Sequence, residues 1–290
     1  MAGQSHTLHC GNDGETSATM TARISKGISL DCMNVKPGLE VASLSDIGCQ
    51  RENNEDSYSY WEPAADSEFQ RKGRLAAIAD GMGGYAGGQE ASRLAVETVR
   101  EVYENVVGED PHAALLEAFA RAHEKIQSYA ARHPDLRGMG TTCTALVIRG
   151  RQLYFAHVGD SRLYLIRGGN ITRLTRDHSY VGRLVENGIV RAEDAEKHPQ
   201  RHILTAALGA GIEVAAIQSG EQGIVLQDFD DLLLCTDGLW GMVSDQELEK
   251  TVTANTPTEC CTALVQLALQ RGGPDNITVQ LLRVSPERES

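Results

Sequence analysis

The sequence has 7 cysteines but no Cys-x-x-Cys pair. Cys260 and Cys261 are adjacent and the others are scattered. An odd, unpatterned set fits neither a zinc site nor a disulfide framework, and reads as the reduced thiols of a cytoplasmic protein. No apolar run approaches the roughly 18 residues that span a bilayer, so no membrane association is expected. The N-terminus has no apolar h-region, so no secretory signal is expected either. Basic residues are scarce, with 27 Lys and Arg against 40 Asp and Glu for a formal net charge of -13. That balance argues against a nucleic-acid partner, because Lys and Arg must neutralise backbone phosphates. There is no internal repeat.

The 290 residues are 41% hydrophobic, enough to build the core of one large α+β domain. Residues 1–38 are rich in Gly, Ser and Thr with weak periodicity, and read as a flexible tail. The domain is expected over 39–285, with a short C-terminal tail at 286–290. Strands are expected at 39–44, 75–79, 142–148, 152–158, 162–167, 231–235 and 276–283. Helices are expected at 89–107, 111–133, 244–254 and 257–271, the first from apolar residues at helical spacing. Ser244 with Glu247, and Thr256 with Glu259, are capping-box patterns. Residues 177–209 read as a long polar insertion carrying two short helices. This order is not the regular alternation of a parallel sheet; it predicts helices covering antiparallel sheets.

One feature recurs at the ends of the apolar strands. Ala77-Ile-Ala-Asp80-Gly81, His157-Val-Gly-Asp160-Ser161 and Leu234-Cys-Thr-Asp237-Gly238 each end in an Asp at a turn. Gly273-Pro-Asp275-Asn276 opens the last strand, and Asn53-Asn-Glu55-Asp56 forms a further cluster. Asp-Gly pairs serve ordinary turns. Several of them at the ends of adjacent strands would instead bring mutually repelling carboxylates together, which a cation between them would relieve. Oxygen-only donors suit hard ions such as Mg²⁺ and Mn²⁺ better than zinc.

With these segments in view the chain resembles the protein phosphatase 2C family, the metal-dependent Ser/Thr phosphatases, and in particular its bacterial members. The matching segments are Ser45-Asp-Ile-Gly-Cys-Gln-Arg-Glu-Asn-Asn-Glu-Asp-Ser57, Asp80-Gly-Met-Gly-Gly84, Gly140-Thr-Thr142, Val158-Gly-Asp-Ser-Arg162, Asp177-His-Ser179, Thr236-Asp-Gly238 and Gly273-Pro-Asp-Asn276. They fall in family order between residues of about 40 and 284. The resemblance implies a four-layer αββα sandwich of the α+β class, with two antiparallel sheets face to face and helices on both outer faces. It implies two or three Mn²⁺ or Mg²⁺ ions. Asp80 would bridge two of them, the Gly81 carbonyl would bind one, and Asp237 and Asp275 would hold the other. Glu55 and Asp56 would act through water, Asp160 with Asp237 would hold a third ion, and Arg51 would grip the substrate phosphate. A planar, two-pronged guanidinium suits a phosphate dianion.

The implied activity is hydrolysis of phosphoserine and phosphothreonine by a hydroxide bridging two metals, reversing a Ser/Thr kinase system on phosphorylated proteins. The alternative is a catalytically weak phosphoprotein-binding regulator acting through a partner. Cys143 and Arg149 have the Cys-x5-Arg spacing of Cys-based phosphatases, but the residues between them read as a buried strand. Two positions depart from the family pattern, with Met82 and Tyr85 where relatives carry His. A metal-bound water, His157 and His178 remain as donors of the leaving-group proton. The 177–209 insertion corresponds to the family's flap, either a solvated loop or a contact to the phosphoprotein.

Overall fold

A computed structural model describes residues 29–32, 35–83, 86–106, 110–195, 198–210, 218–219 and 223–286. Two antiparallel sheets pack face to face. One has the strand order β1 (Ser29–Cys32), β2 (Leu39–Asp46), β14 (Ile277–Val284), β13 (Asp231–Cys235), β8 (Arg162–Arg167), β9 (Asn170–Arg173). The other runs β10 (Leu208–Gly209), β5 (Gly140–Thr141), β4 (Arg74–Met82), β6 (Cys143–Arg149), β7 (Gln152–Val158), β11 (Gln218–Ser219). In addition β3 (Asp56–Trp61) pairs with β4, and β12 (Ile224–Val225) pairs with β7. In chain order the helices are α1 (Asp66–Lys72), α2 (Ala86–Asn105), α3 (Pro111–Arg132), α4 (Tyr180–Glu186), α5 (Ala192–Ala195), α6 (Asp237–Trp240), α7 (Asp245–Ala254) and α8 (Pro257–Gln270) among the described residues.

The period-2 geometry of strands divides each central strand between two cores. Leu75, Ala77 and Ala79 of β4 join Leu94 and Val99 of α2 and Leu115 and Phe119 of α3. Their neighbours Ala76 and Ile78 face the other sheet and meet Leu232, Leu234 and Leu282. In β13, Leu233 packs with Leu248 of α7 and Leu264 of α8. Both faces of these strands are therefore buried, which is why they read as continuous apolar runs rather than alternating ones. The four-layer αββα expectation holds.

Helix ends follow local chemistry. Asp110 caps α3 by accepting from the His112 amide, with Pro111 in the first turn. Both capping boxes, Ser244 with Glu247 and Thr256 with Glu259, form reciprocally.

The structure corrects some sequence boundaries. The strand expected at 39–44 runs on to Asp46, and Asp56 opens β3, a strand absent from the sequence expectations. Its residues, Asp-Ser-Tyr-Ser-Tyr-Trp, alternate small polar with aromatic side chains and form no apolar run, although aromatic residues favour strands. Helix α1 was also unassigned. The strand expected at 75–79 extends to Met82, and the helix expected from residue 89 already starts at Ala86. Within the segment read as a tail, Ser29–Cys32 pairs with β2 as an edge strand; residues 1–28 lie outside the described residues, as does Tyr85.

Candidate metal centre

Strand direction gathers the candidate residues at one pole of the sandwich. β4 runs toward this pole and delivers Asp80, β13 delivers Asp237 just past its end, β14 begins there after Asp275, and the β7–β8 turn holds Asp160. Asp56 lies opposite Asp80 in the β3–β4 register. Two glycines here allow close backbone approaches. A Cβ on Gly81 would sit 2.1 Å from the Gly88 carbonyl and 2.6 Å from that of Glu55. A Cβ on Gly238 would sit 2.0 Å from the Asn276 carbonyl, so only glycine lets the Asp237 turn close on the Asp275 loop.

The carboxylates are anchored through their backbones. The Asp80 amide donates to Thr142 Oγ1 at 2.8 Å, and its carbonyl accepts from Thr142 N at 2.9 Å. Trp240 Nε1 donates to the Asp160 carbonyl at 3.0 Å, and the Arg162 guanidinium stacks on the Trp240 ring at 3.6 Å. Asn276 ties three segments together, accepting from the Glu55 amide at 2.8 Å and donating to the Ile47 and Asn53 carbonyls. In the sequence the signal for this role of Asn276 is its place directly after Asp275 at the start of the last strand.

The electrostatics of this pole are strained. Burial, opposed by hydroxyl bonds from Thr278 and Thr236, pushes the Asp56 carboxyl up to about 7, with Asp237 and Asp275 adding repulsion. Asp80 is pushed well above the usual carboxylate range by desolvation and then by Asp56, Asp237, Asp160 and Asp275. Asp160 rises for the same first reason, with Asp237 next. Among the described residues no three His, Cys, Asp or Glu side chains close into a ready chelate. Two observations nevertheless fit a cation. Asp56 Oδ1 and Asp237 Oδ1 are buried without a hydrogen-bond partner, which costs about 1–3 kcal/mol for each such acceptor. The donors gathered here are also mainly carboxylate oxygens, the set that hard divalent ions take.

Arg51, read as a phosphate grip, donates to Asp275 Oδ2 at 2.7 Å and stays half exposed at the rim. The pull of Asp275 raises its pKa, so it is a fixed cation. Glu55, raised mainly by burial, lies beside it. The two histidines considered as proton donors differ. His157 is fully buried, with Nδ1 against the Thr144 hydroxyl at 2.8 Å and Nε2 against the Arg176 carbonyl at 3.1 Å. A carbonyl only accepts, so Nε2 carries the proton and Nδ1 accepts from Thr144. Burial lowers the pKa of this ring to about 3, and its role is structural. His178 Nδ1 accepts from the Gly159 amide at 3.3 Å, beside the Asp160 turn. Cys143 is a buried strand residue whose thiol burial pushes up, so the Cys-x5-Arg spacing carries no thiolate chemistry.

A family model for Protein phosphatase 2C matches residues 50–264. The chain is 38% identical over 241 residues to the Ser/Thr protein phosphatase PstP of Mycobacterium tuberculosis, covering 83% of this chain and 44% of that protein. It thus spans less than half of that relative's length. It is 37% identical over 263 residues to the protein phosphatase PhpP of Streptococcus pneumoniae, covering 86% of this chain and 99% of that one. Among solved structures, the catalytic domain of PstP in complex with two manganese ions superposes with a TM-score of 0.73 at 35% identity, covering 86% of this chain and 99% of that one.

Proposed function

Because the chain belongs to the protein phosphatase 2C family of Ser/Thr protein phosphatases, we propose that it hydrolyses phosphoserine and phosphothreonine in proteins by direct attack of hydroxide on phosphorus, reversing a Ser/Thr kinase. The observation that carries this reading is the one-pole cluster of Asp56, Asp80, Asp160, Asp237 and Asp275, in which burial and mutual repulsion raise three of the carboxyls. Such a cluster costs folding stability unless divalent charge compensates it.

When bound, a pair of Mn²⁺ or Mg²⁺ ions supplies hydroxide near neutral pH and offsets charge on the phosphoryl oxygens. Asp80, Asp237, Asp275 and the Gly81 carbonyl would hold that pair. Glu55 and Asp56 would orient water beside it, and Asp160 with Asp237 would serve a third ion. Thr236, donating to Asp56 Oδ2 at 2.8 Å, leaves Oδ1 as the oxygen available to a ligand. Arg51 sits at the mouth, where its guanidinium can leave Asp275 for a phosphate dianion and hold it in line. No side chain need become phosphorylated.

The test is release of phosphate from a phosphothreonine peptide with Mn²⁺, then with excess EDTA. Turnover that EDTA abolishes and Mn²⁺ restores supports the reading. A folded protein inert under both conditions overturns it in favour of a phosphoprotein-binding role.

A further inference from the structure

One imidazole approaches the carboxylate pole from the flap, outside the seven motif segments quoted above. His202 lies in the flap, and its Nδ1 is 3.7 Å from Asp237 Oδ2. The approach is built into the backbone. Just beyond it the flap returns to the sandwich through a short antiparallel bridge between Ser179 and Leu204. The Tyr180 amide donates to the Ile203 carbonyl at 2.7 Å, and the Thr205 amide to the His178 carbonyl at 2.8 Å. On the other side Arg201 N donates to the His198 carbonyl at 3.1 Å. The base of this return is fixed in turn, because Arg162 forks onto Asp177 through Nε at 3.1 Å and Nη2 at 2.8 Å. His202 is thus carried at the end of a local turn, on a segment tied to the sandwich just beyond it.

The separation is informative. At 3.7 Å the imidazole and the carboxylate are too far apart for a good hydrogen bond. Two donor atoms that share one cation through bonds of about 2.1 Å stand roughly 3–3.7 Å apart. The other Asp237 oxygen, Oδ1, is a buried acceptor with no partner. Asp160 neighbours Asp237 closely enough that its charge is the largest electrostatic influence raising the Asp160 carboxyl, after burial. The imidazole ring is 58% exposed, so its nitrogen is free to turn toward an ion.

We propose that His202 supplies a nitrogen ligand to a cation held by Asp160 and Asp237, so that the flap is fastened to the metal centre through the ion. This rests on the metal-dependent reading above and adds to it. A nitrogen donor among carboxylates shifts preference toward Mn²⁺ and away from Mg²⁺, which favours oxygen ligands.

The test uses the full chain loaded with Mn²⁺, comparing the wild type with His202→Ala and His202→Gln. The readouts are ¹⁴N electron-spin-echo modulation from bound Mn²⁺ and titration calorimetry with Mn²⁺ and Mg²⁺. The wild type is expected to show a directly bound imidazole nitrogen that both variants lose. The weakest Mn²⁺ step should loosen by about tenfold or more in the variants, with Mg²⁺ affinity nearly unchanged. His202 is a surface side chain, so both variants should fold as the wild type does. Saturated wild type without nitrogen modulation, or modulation that persists in both variants, overturns the proposal while leaving the carboxylate centre intact. Absence of Mn²⁺ binding by the wild type would instead overturn the phosphatase reading beneath it, and this proposal with it.

Discussion

The two poles of the sandwich treat buried acid in opposite ways. At the pole where β4 starts and β14 ends, acids have arginine partners. Glu62 Oε2 meets Arg74 Nε at 3.0 Å, with both side chains largely buried. Asp230 takes Arg167 at 2.5 Å, and Asp231 takes Arg283 at 2.7 Å. At the other pole Asp56, Asp80 and Asp160 form no ion pair with Lys or Arg among the described residues, and burial with neighbouring carboxylates raises their carboxyls; burial raises Asp231 too, but there Arg283 opposes the rise. The same chain, with 27 basic residues to place, spends them where neutralisation is permanent. At the carboxylate pole, among the described residues, Asp275 alone of the five takes an arginine, the half-exposed Arg51, and the buried three are left to be met by something that comes and goes. A buried ion pair contributes little net stability but is costly to break. A buried unpaired cluster is costly to keep and is typical of functional sites.

Removing one carboxylate from each pole should therefore have opposite consequences. Asp80→Asn is expected to lower phosphothreonine-peptide turnover by about three orders of magnitude, since the ions it would hold supply several kcal/mol of transition-state stabilisation. In EDTA the same variant should melt at or above the wild-type temperature, because a source of repulsion is gone. A calorimetric scan together with a turnover assay checks both halves, and full activity in the variant would remove Asp80 from the site.

The converse substitution, Glu62→Ala, should destabilise by about 3 kcal/mol, as it strands the buried Arg74 guanidinium. Its turnover by the folded fraction should stay at the wild-type level. Urea denaturation followed by an assay below the transition reads this, and a loss of turnover without a loss of stability would break the contrast.

The poles should also differ in pH response. Asp56 has a folded pKa of about 7, above its unfolded value near 4. The native state therefore binds the extra proton between pH 4 and 7, so the Asp56 contribution makes metal-free stability fall as pH rises through that window. Melting temperatures in EDTA across pH 5–8 test the sign. Asp56→Asn should flatten the slope, whereas a stability that rises through the window would contradict the assignment.

The smallest effect concerns the rim. Arg51→Ala is expected to raise KM for a phosphothreonine peptide by about tenfold, the scale of one lost charge-assisted hydrogen bond. Mn²⁺ affinity measured by calorimetry should change far less, and unchanged peptide kinetics would take Arg51 out of substrate binding.

Much of this was legible in the chain itself. The apolar runs at 75–79 and 231–235 were visible because strands buried on both faces have no polar alternation. The capping boxes were legible because they are closed within four residues. Strand β3 was missed because its Ser and Tyr residues are partly buried at the edge of the site, where sheet pairing with β4 rather than side-chain hydrophobicity determines the conformation. The aspartates were found as turn residues at strand ends, but a turn residue has no visible partner in one dimension.

What the sequence by itself determined is therefore local: which segments are apolar enough to be strands, where helices are capped, and which acids sit at strand termini. The tertiary structure alone decided which acids were neutralised and which were not. Asp231 and Asp237 are six residues apart on the same strand and turn, yet one faces Arg283 and the other faces His202 and further carboxylates. Direction along β13 separates them by the height of the sheet, and residues more than thirty positions away in sequence supply their surroundings. An ionisable group takes its chemistry from whatever lies within a few ångströms, and for these residues that is set by the packing of the two sheets.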